Sequence, residues 1–142
     1  MRFNRLTPIV ITEKLAESRD FYTQLFGFQL IYDSDWYVAL RGEGDSSTEL
    51  AFMLPDRPDQ EAVFQPRYAG QGICYVFEVD DVDAEYERLQ AAGIDIIIPL
   101  QDKPWGERHF TVQDPNGIPI NVVQLIPPSE EYAAEYQARE QE

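Results

Sequence analysis

The sequence predicts an α+β fold of two βαβββ modules, with curved mixed sheets around a cavity and the helices on the outer face. Three observations lead there. The same order of elements, a strand, a helix and three strands, is read twice along the 142 residues. Each half carries one amphipathic helical stretch that stops at a glycine, Gly27 in the first and Gly93 in the second. The second half closes on Asp114-Pro115-Asn116-Gly117 between two apolar-rich segments. Pro115 presets φ for a turn there, and Asn116-Gly117 accept the positive φ of a tight reversal, so a strand hairpin is expected. One helix per module covers one sheet face and leaves the other free to curve.

In the first half, residues 7–11 read as a short strand, with Pro8 giving it an irregular or edge start. Thr12 is placed to cap a helix over residues 13–26, where Leu15, Ser18, Phe21, Tyr22, Leu25 and Phe26 recur at three- and four-residue spacing. Strands follow at residues 28–32, 36–40 and 49–54, rich in aromatic and aliphatic side chains. Turn-forming stretches separate them, Asp33-Ser34-Asp35 and residues 42–47.

The second half repeats the order. A strand at residues 73–79 leads to a helix capped by Asp80 or Asp81, with Val82, Tyr86 and Leu89 on one face and a stop at Gly93. Strands are then expected at residues 94–98, 107–112 and 118–125. Residues 1–128 thus form one domain with modules at about 5–55 and 72–126. The connector at 56–71 is rich in Pro and Gly and exceeds ordinary connection lengths, which fits a lid or a partner-contacting arm. Residues 129–142 make an acidic tail of helical composition with a thin apolar face of Tyr132, Ala133 and Tyr136. A frayed or partner-docked state is expected for it, since isolated helices this short are marginal.

Composition bounds the function. With 44% hydrophobic and 13% aromatic residues the chain has the material for a core, and global disorder is excluded. No run of about 18 apolar residues occurs, and the N-terminus lacks the apolar stretch of a signal peptide, so a cytoplasmic protein that does not enter the membrane is expected. The single cysteine cannot form an internal disulfide, which fits a reducing compartment. Eleven Lys and Arg against 26 Asp and Glu give a net charge of -15. That surface repels phosphate backbones, so nucleic acid is excluded as a partner. The same field attracts a cationic small molecule, and it equally serves solubility.

Three stretches carry a family resemblance. Phe21-Tyr22-Thr23-Gln24-Leu25-Phe26-Gly27-Phe28 resembles the first helix ending of the glyoxalase, bleomycin-resistance and extradiol dioxygenase superfamily, the vicinal oxygen chelate proteins. Phe77-Glu78-Val79-Asp80-Asp81-Val82 is similar to its second strand-to-helix junction, and residues 104–117 to its final hairpin. The resemblance spans residues 7–125 and implies the two-module fold, a ligand cavity and a homodimer. In metal-dependent members, His and Glu side chains from the first and fourth strands of each module bind a divalent ion. Those places fall on Thr7, Glu49, Cys74 and Asn121, and of these only Glu49 is of the expected type. One carboxylate and one thiol do not make a catalytic metal set, so no metal or cofactor is expected.

Each site candidate has two readings. His109, the single histidine, shares a strand face with Glu107, either as a surface strand residue or as a cavity acid-base group or ligand anchor. Cys74 reads as a small buried hydrophobe, its alternative being a ligand contact. Glu49, Ala51 and Met53 are expected on the cavity face, with Leu50, Phe52 and Leu54 toward the helix. A buried Glu49 must be paired or protonated, and would anchor a cation or act as a general base; its plain reading is an exposed strand start. Trp36, Tyr37 and Trp105 are either aromatic ligand walls or ordinary core and interface packing. The expected ligand-binding set is Thr7, Trp36, Glu49, Cys74, Trp105, His109 and Asn121, with Glu49 as the one catalytic candidate.

The leading expectation is a metal-independent binding protein for an aromatic or cationic organic molecule. A metal-dependent lyase, isomerase or dioxygenase of the same fold is its alternative. A protein-interaction module acting through the connector and tail is the third.

Overall fold

Local sequence determines where the elements begin and end in this computed structural model, which describes residues 1–44 and 47–140, with side chains described to residue 136. Asp45 and Ser46 of the expected 42–47 turn, and Gln141 and Glu142 of the tail, lie outside the described residues. The chain is α+β, with two four-stranded mixed sheets and three helices. It divides into two compact units, residues 1–71 with 114–117, and residues 72–113 with 118–142.

The first unit contains β1 (Ile9–Ile11), α1 (Leu15–Phe26), β2 (Gln29–Asp33), β3 (Tyr37–Arg41) and β4 (Glu49–Met53). The sheet order is β1-β4-β3-β2, with β1 parallel to β4 and the other pairs antiparallel. α1 ends as expected at Gly27, whose φ of 70° is the left-handed value that favours glycine. Its buried face packs Tyr22 against Phe52 of β4 with ring centroids 5.7 Å apart, and against Phe28 at 5.6 Å. Burial of such a side chain stabilises by about 1.5–3 kcal/mol. Phe52 therefore faces the helix, and by alternation Glu49, Ala51 and Met53 face away from it, as the register predicts.

Thr12 does not cap α1. The helix starts after Lys14 without a side-chain cap, while the Thr12 hydroxyl accepts from the Lys14 amide and donates to Asn116 Oδ1 at 2.7 Å. The Asp114-Pro115-Asn116-Gly117 turn packs as part of this unit. Tyr22 donates its hydroxyl to Asp114 Oδ2 at 2.8 Å, Asn116 Nδ2 donates to Ser18 Oγ at 2.9 Å, and Lys14 Nζ donates to the Pro115 carbonyl. The connector is tied to the unit as well, with a 3-10 turn at Ala62–Phe64 and a Tyr68 amide bonded to the Ile11 carbonyl.

The second unit contains β5 (Tyr75–Glu78), α2 (Val82–Ala91), β6 (Ile98–Lys103), β7 (Glu107–Gln113), β8 (Pro119–Leu125) and α3 (Glu130–Glu140), with sheet order β5-β8-β7-β6. Asp81 is the α2 cap, accepting from the Ala84 amide at 3.1 Å. Val82 and Leu89 are fully buried and Tyr86 meets Phe110 of β7 at 5.1 Å, so α2 covers the Phe110 face of this sheet.

Three expectations change here. The strand expected at 94–98 lies at Ile98–Lys103, because Gly93 and Ile94 are spent on closing α2 through bonds to the Gln90 and Leu89 carbonyls. Pro99, which has no amide proton, sits in a register shift between Ile98 and Gln101 on this edge strand. Cys74 is exposed rather than buried, since pairing of β5 with β8 begins one residue later at Tyr75. The tail is a helix seated on the β6–β7 turn. The Ser129 amide bonds to the Pro104 carbonyl at 2.7 Å, and Tyr132 meets Trp105 edge-on at 6.2 Å. Gly106 permits this approach. Its φ is 106°, and a Cβ there would come within 2.9 Å of the Ile126 carbonyl oxygen.

Candidate functional site

Each sheet has one face toward its helix and one helix-free face, and the candidate polar residues gather on the helix-free faces. In the first unit, Arg41 pairs directly across from Glu49 in the antiparallel β3–β4 register, so the two side chains share that face. Arg41 places Nε and Nη2 on Glu49 Oε1 at 3.1 and 2.9 Å. Arg5 Nε lies 3.1 Å from Oε2, and Thr7 donates its hydroxyl to the same oxygen at 3.2 Å.

Glu49 is 6% exposed, and its two oxygens are engaged by three hydrogen bonds, two from Arg41 and one from Thr7, and by the Arg5 ion pair. With two guanidinium groups against one carboxylate, this corner carries a net positive charge in an acidic chain. A free carboxylate that would attract a cationic ligand is therefore not on offer at Glu49. On the same face, the Tyr37 hydroxyl is held above its usual acidity range by burial first and by the Glu49 charge second, with Arg5 acting in the opposite direction. It remains protonated at neutral pH.

Trp36 and Tyr37 leave a turn in which Ser34 Oγ accepts from both of their amides. Their rings are 5.5 Å apart, and Tyr32 lies 5.9 Å from Tyr37. Trp36 is half-buried, with the Arg57 guanidinium 4.1 Å from its ring centroid, a cation–π contact that brings the connector onto it. Arg57 is itself held by Asp59 through two hydrogen bonds.

In the second unit, Phe110 faces α2, so His109 and Thr111 face the opposite way. The β7–β8 register sets Thr111 across from Asn121 and His109 across from Val123. His109 Nδ1 lies 2.5 Å from Asn121 Oδ1, and Thr111 donates to the same oxygen at 3.3 Å. His109 is 6% exposed, and its Nε2 is buried without a hydrogen-bond partner among the described residues.

The structure thus brings Thr7 together with Glu49, and His109 together with Asn121. Trp36 stands with Arg57, Trp105 with Tyr132, and Cys74 lies exposed ahead of β5. Sequence reasoning missed Arg5, Arg41 and Thr111. The last two were open to it, because a hairpin about Asp114–Gly117 sets 111 against 121, and one about residues 42–48 sets 41 against 49. Arg5 sits in irregular chain and carries no such signal.

A divalent ion at the four family positions is not supported by the donors present. Glu49 is neutralised by two cations that would repel the ion, Asn121 Oδ1 already accepts twice, Thr7 offers a neutral hydroxyl, and Cys74 is exposed. Among the described residues no group of three or more His, Cys, Asp or Glu is placed to hold a metal ion. The donor set does not fit the group.

Comparison with known proteins gives one consistent result. A family model described as the Glyoxalase/Bleomycin resistance protein/Dioxygenase superfamily matches residues 2–122. An uncharacterized protein of Mycobacterium bovis is 27% identical over 118 residues, covering 79% of this chain and 77% of that protein. A glyoxalase/bleomycin resistance protein/dioxygenase from Nocardioides superposes with a TM-score of 0.71 at 23% identity, over 89% of this chain and 85% of that one. TnmS3, an antibiotic binding protein from Streptomyces sp. CB03234, does so with a TM-score of 0.64 at 25% identity, over 87% and 97%.

Proposed function

Because the chain belongs to the Glyoxalase/Bleomycin resistance protein/Dioxygenase superfamily, we propose that it is a small-molecule-binding protein that holds an aromatic organic ligand without a metal. The observation that carries this reading is the state of Glu49, whose two oxygens are occupied by Arg5, Arg41 and Thr7. The one residue of metal-ligand type at the family positions is thereby turned into a structural ion pair. The aromatic ligand is supported by the Tyr32, Trp36 and Tyr37 rings, and by the likeness to an antibiotic binding protein. The cationic ligand is not carried forward, since the local charge around Glu49 is positive.

The same reading includes a cytoplasmic homodimer. β2 is an edge strand on which Leu30, Ile31 and Tyr32 are 45%, 41% and 51% exposed. A second copy covering them removes an apolar edge that would otherwise invite aggregation. No helix among the described residues is long and apolar enough to cross a membrane.

Metal analysis of natively purified protein, joined to calorimetric titration with planar aromatic compounds in a chelating buffer, tests the proposal. Far less than one ion per chain is expected, with binding indifferent to the chelator. A stoichiometric ion, or binding that the chelator abolishes, overturns it.

A further inference from the structure

We propose that the Arg5 and Arg41 guanidinium groups receive a carboxylate of the ligand, so that the molecule this chain holds is an aromatic acid. This rests on the small-molecule reading above and adds the chemical class of the ligand to it. Every group involved belongs to the first unit.

Charge is shared unevenly among the arginines. The chain has 26 Asp and Glu against 11 Lys and Arg. Among the described residues Arg19, Arg57, Arg67, Arg88 and Arg108 each pair with at least one carboxylate of their own. Arg5 and Arg41 differ, since both pair with Glu49 and with no other acidic group among the described residues. A guanidinium stays charged at every pH a folded protein meets, and Glu49 supplies at most one negative charge. The corner is therefore short of an anion in a chain that has anions in excess.

Donors are left over as well. Arg41 directs Nε and Nη2 at Glu49 Oε1, and its other terminal nitrogen meets no partner among the described residues. Arg5 contributes its ion pair and no hydrogen bond among the described residues. Both arginine side chains are partly open to solvent, whereas the carboxylate that fixes them is buried, so the cation is both held and reachable. A planar fork of N–H donors matches a carboxylate in geometry as well as in charge, and such charge-assisted bonds are the stronger ones. One carboxylate brings the corner to neutrality, while a doubly charged phosphate overshoots it in a chain of net charge -15.

The aromatic part has its place on the same face. Tyr37 and Arg41 both lie on the helix-free side of β3, and Tyr32 stands across from Ala39 between them. Beyond the burial that chiefly raises it, the Tyr37 hydroxyl feels the Glu49 charge and, in the opposite sense, that of Arg5, which places the ring beside the pair. An aromatic acid thus meets rings at one end and N–H forks at the other. A neutral aromatic leaves the positive corner unmatched, and a cationic one is repelled by it. Glu49 holds both arginines and also competes with the ligand carboxylate, so its loss acts on affinity in two opposing directions.

β-Naphthoate and β-naphthamide share a ring system and differ in the charge of the substituent, so calorimetric titration of the full chain with each tests the assignment. At about 0.1 M salt the field of distant acidic residues is screened beyond about 10 Å. Naphthoate is expected to bind about tenfold more tightly, the gain of charge-assisted bonds over neutral ones. Arg41→Gln and Arg5→Gln should each remove most of that preference while leaving naphthamide affinity within a few-fold, a split that a merely structural role would not produce. Arg5 lies in irregular chain ahead of β1, so Arg5→Gln keeps the location testable where Arg41→Gln fails to fold. Equal affinities, or tighter binding of the amide, overturn the inference and leave the aromatic-ligand reading intact. A preference for naphthoate that survives substitution also overturns it, because the carboxylate is then held elsewhere. If neither compound binds, the aromatic-ligand reading fails and the inference falls with it.

Discussion

Glu49 shows how one residue decides between two kinds of chemistry. A free buried carboxylate would act as a base, a cation anchor or a metal ligand, whereas one bound by two arginines and a threonine acts as a structural tie. Both arginine side chains are partly exposed, at 50% for Arg5 and 39% for Arg41, which weakens the pairs through solvent screening. Glu49→Gln is accordingly expected to lower unfolding stability by about 1–2 kcal/mol in urea denaturation, between the range for exposed pairs and that for buried ones. It should leave ligand affinity within a few-fold. A stability unchanged by the substitution would show that the ion pairs contribute nothing, and a lost affinity would return Glu49 to the ligand site. The face it lies on was readable from strand alternation, but its burial was not, nor was its pairing with Arg5, which comes from irregular chain.

At the scale of the element, the Asp114-Pro115-Asn116-Gly117 turn carries more than a chain reversal. Its side chains reach Tyr22 and Ser18 on α1 and Thr12 ahead of it, so the turn packs with the first unit while its flanking strands belong to the second. The Tyr22–Asp114 bond is buried, and Tyr22→Phe leaves one acceptor position of a buried carboxylate unfilled. A loss of about 1–3 kcal/mol in thermal or denaturant unfolding is expected. A loss below about 0.5 kcal/mol would mean that the turn is held by its other bonds and by packing alone. The turn itself was legible in the sequence, since its residue types are those that tight reversals demand. What it touches was not. The same holds for Thr12, whose type fits a helix cap but whose hydroxyl serves Asn116, and for residues 94–98, whose apolar run read as a strand although Ile94 closes α2.

For the whole molecule, the net charge of -15 sets two effects against each other. Like-charge repulsion destabilises the folded chain and is relieved by salt, while the exposed ion pairs of Arg19, Arg57, Arg88 and Arg108 are weakened by it. Exposed pairs are individually weak, so repulsion should prevail. Raising ionic strength from about 0.01 to about 0.1 M shortens the screening length from about 30 to about 10 Å, and a rise of a few degrees in Tm is expected by calorimetry; a fall would give the ion pairs the larger share. The sequence by itself determined the two-module α+β fold, because helical spacing, glycine stops and turn residues are local signals that survive without tertiary context, and the family was legible as a resemblance of residues 21–28, 77–82 and 104–117. Only the tertiary structure decided that Glu49 is neutralised, that Cys74 is exposed, and that His109 turns from its helix with a buried nitrogen that meets no partner among the described residues. Each of those depends on which side chains from distant segments arrive at one face of a sheet, and that is set by strand register and packing rather than by any single stretch of chain.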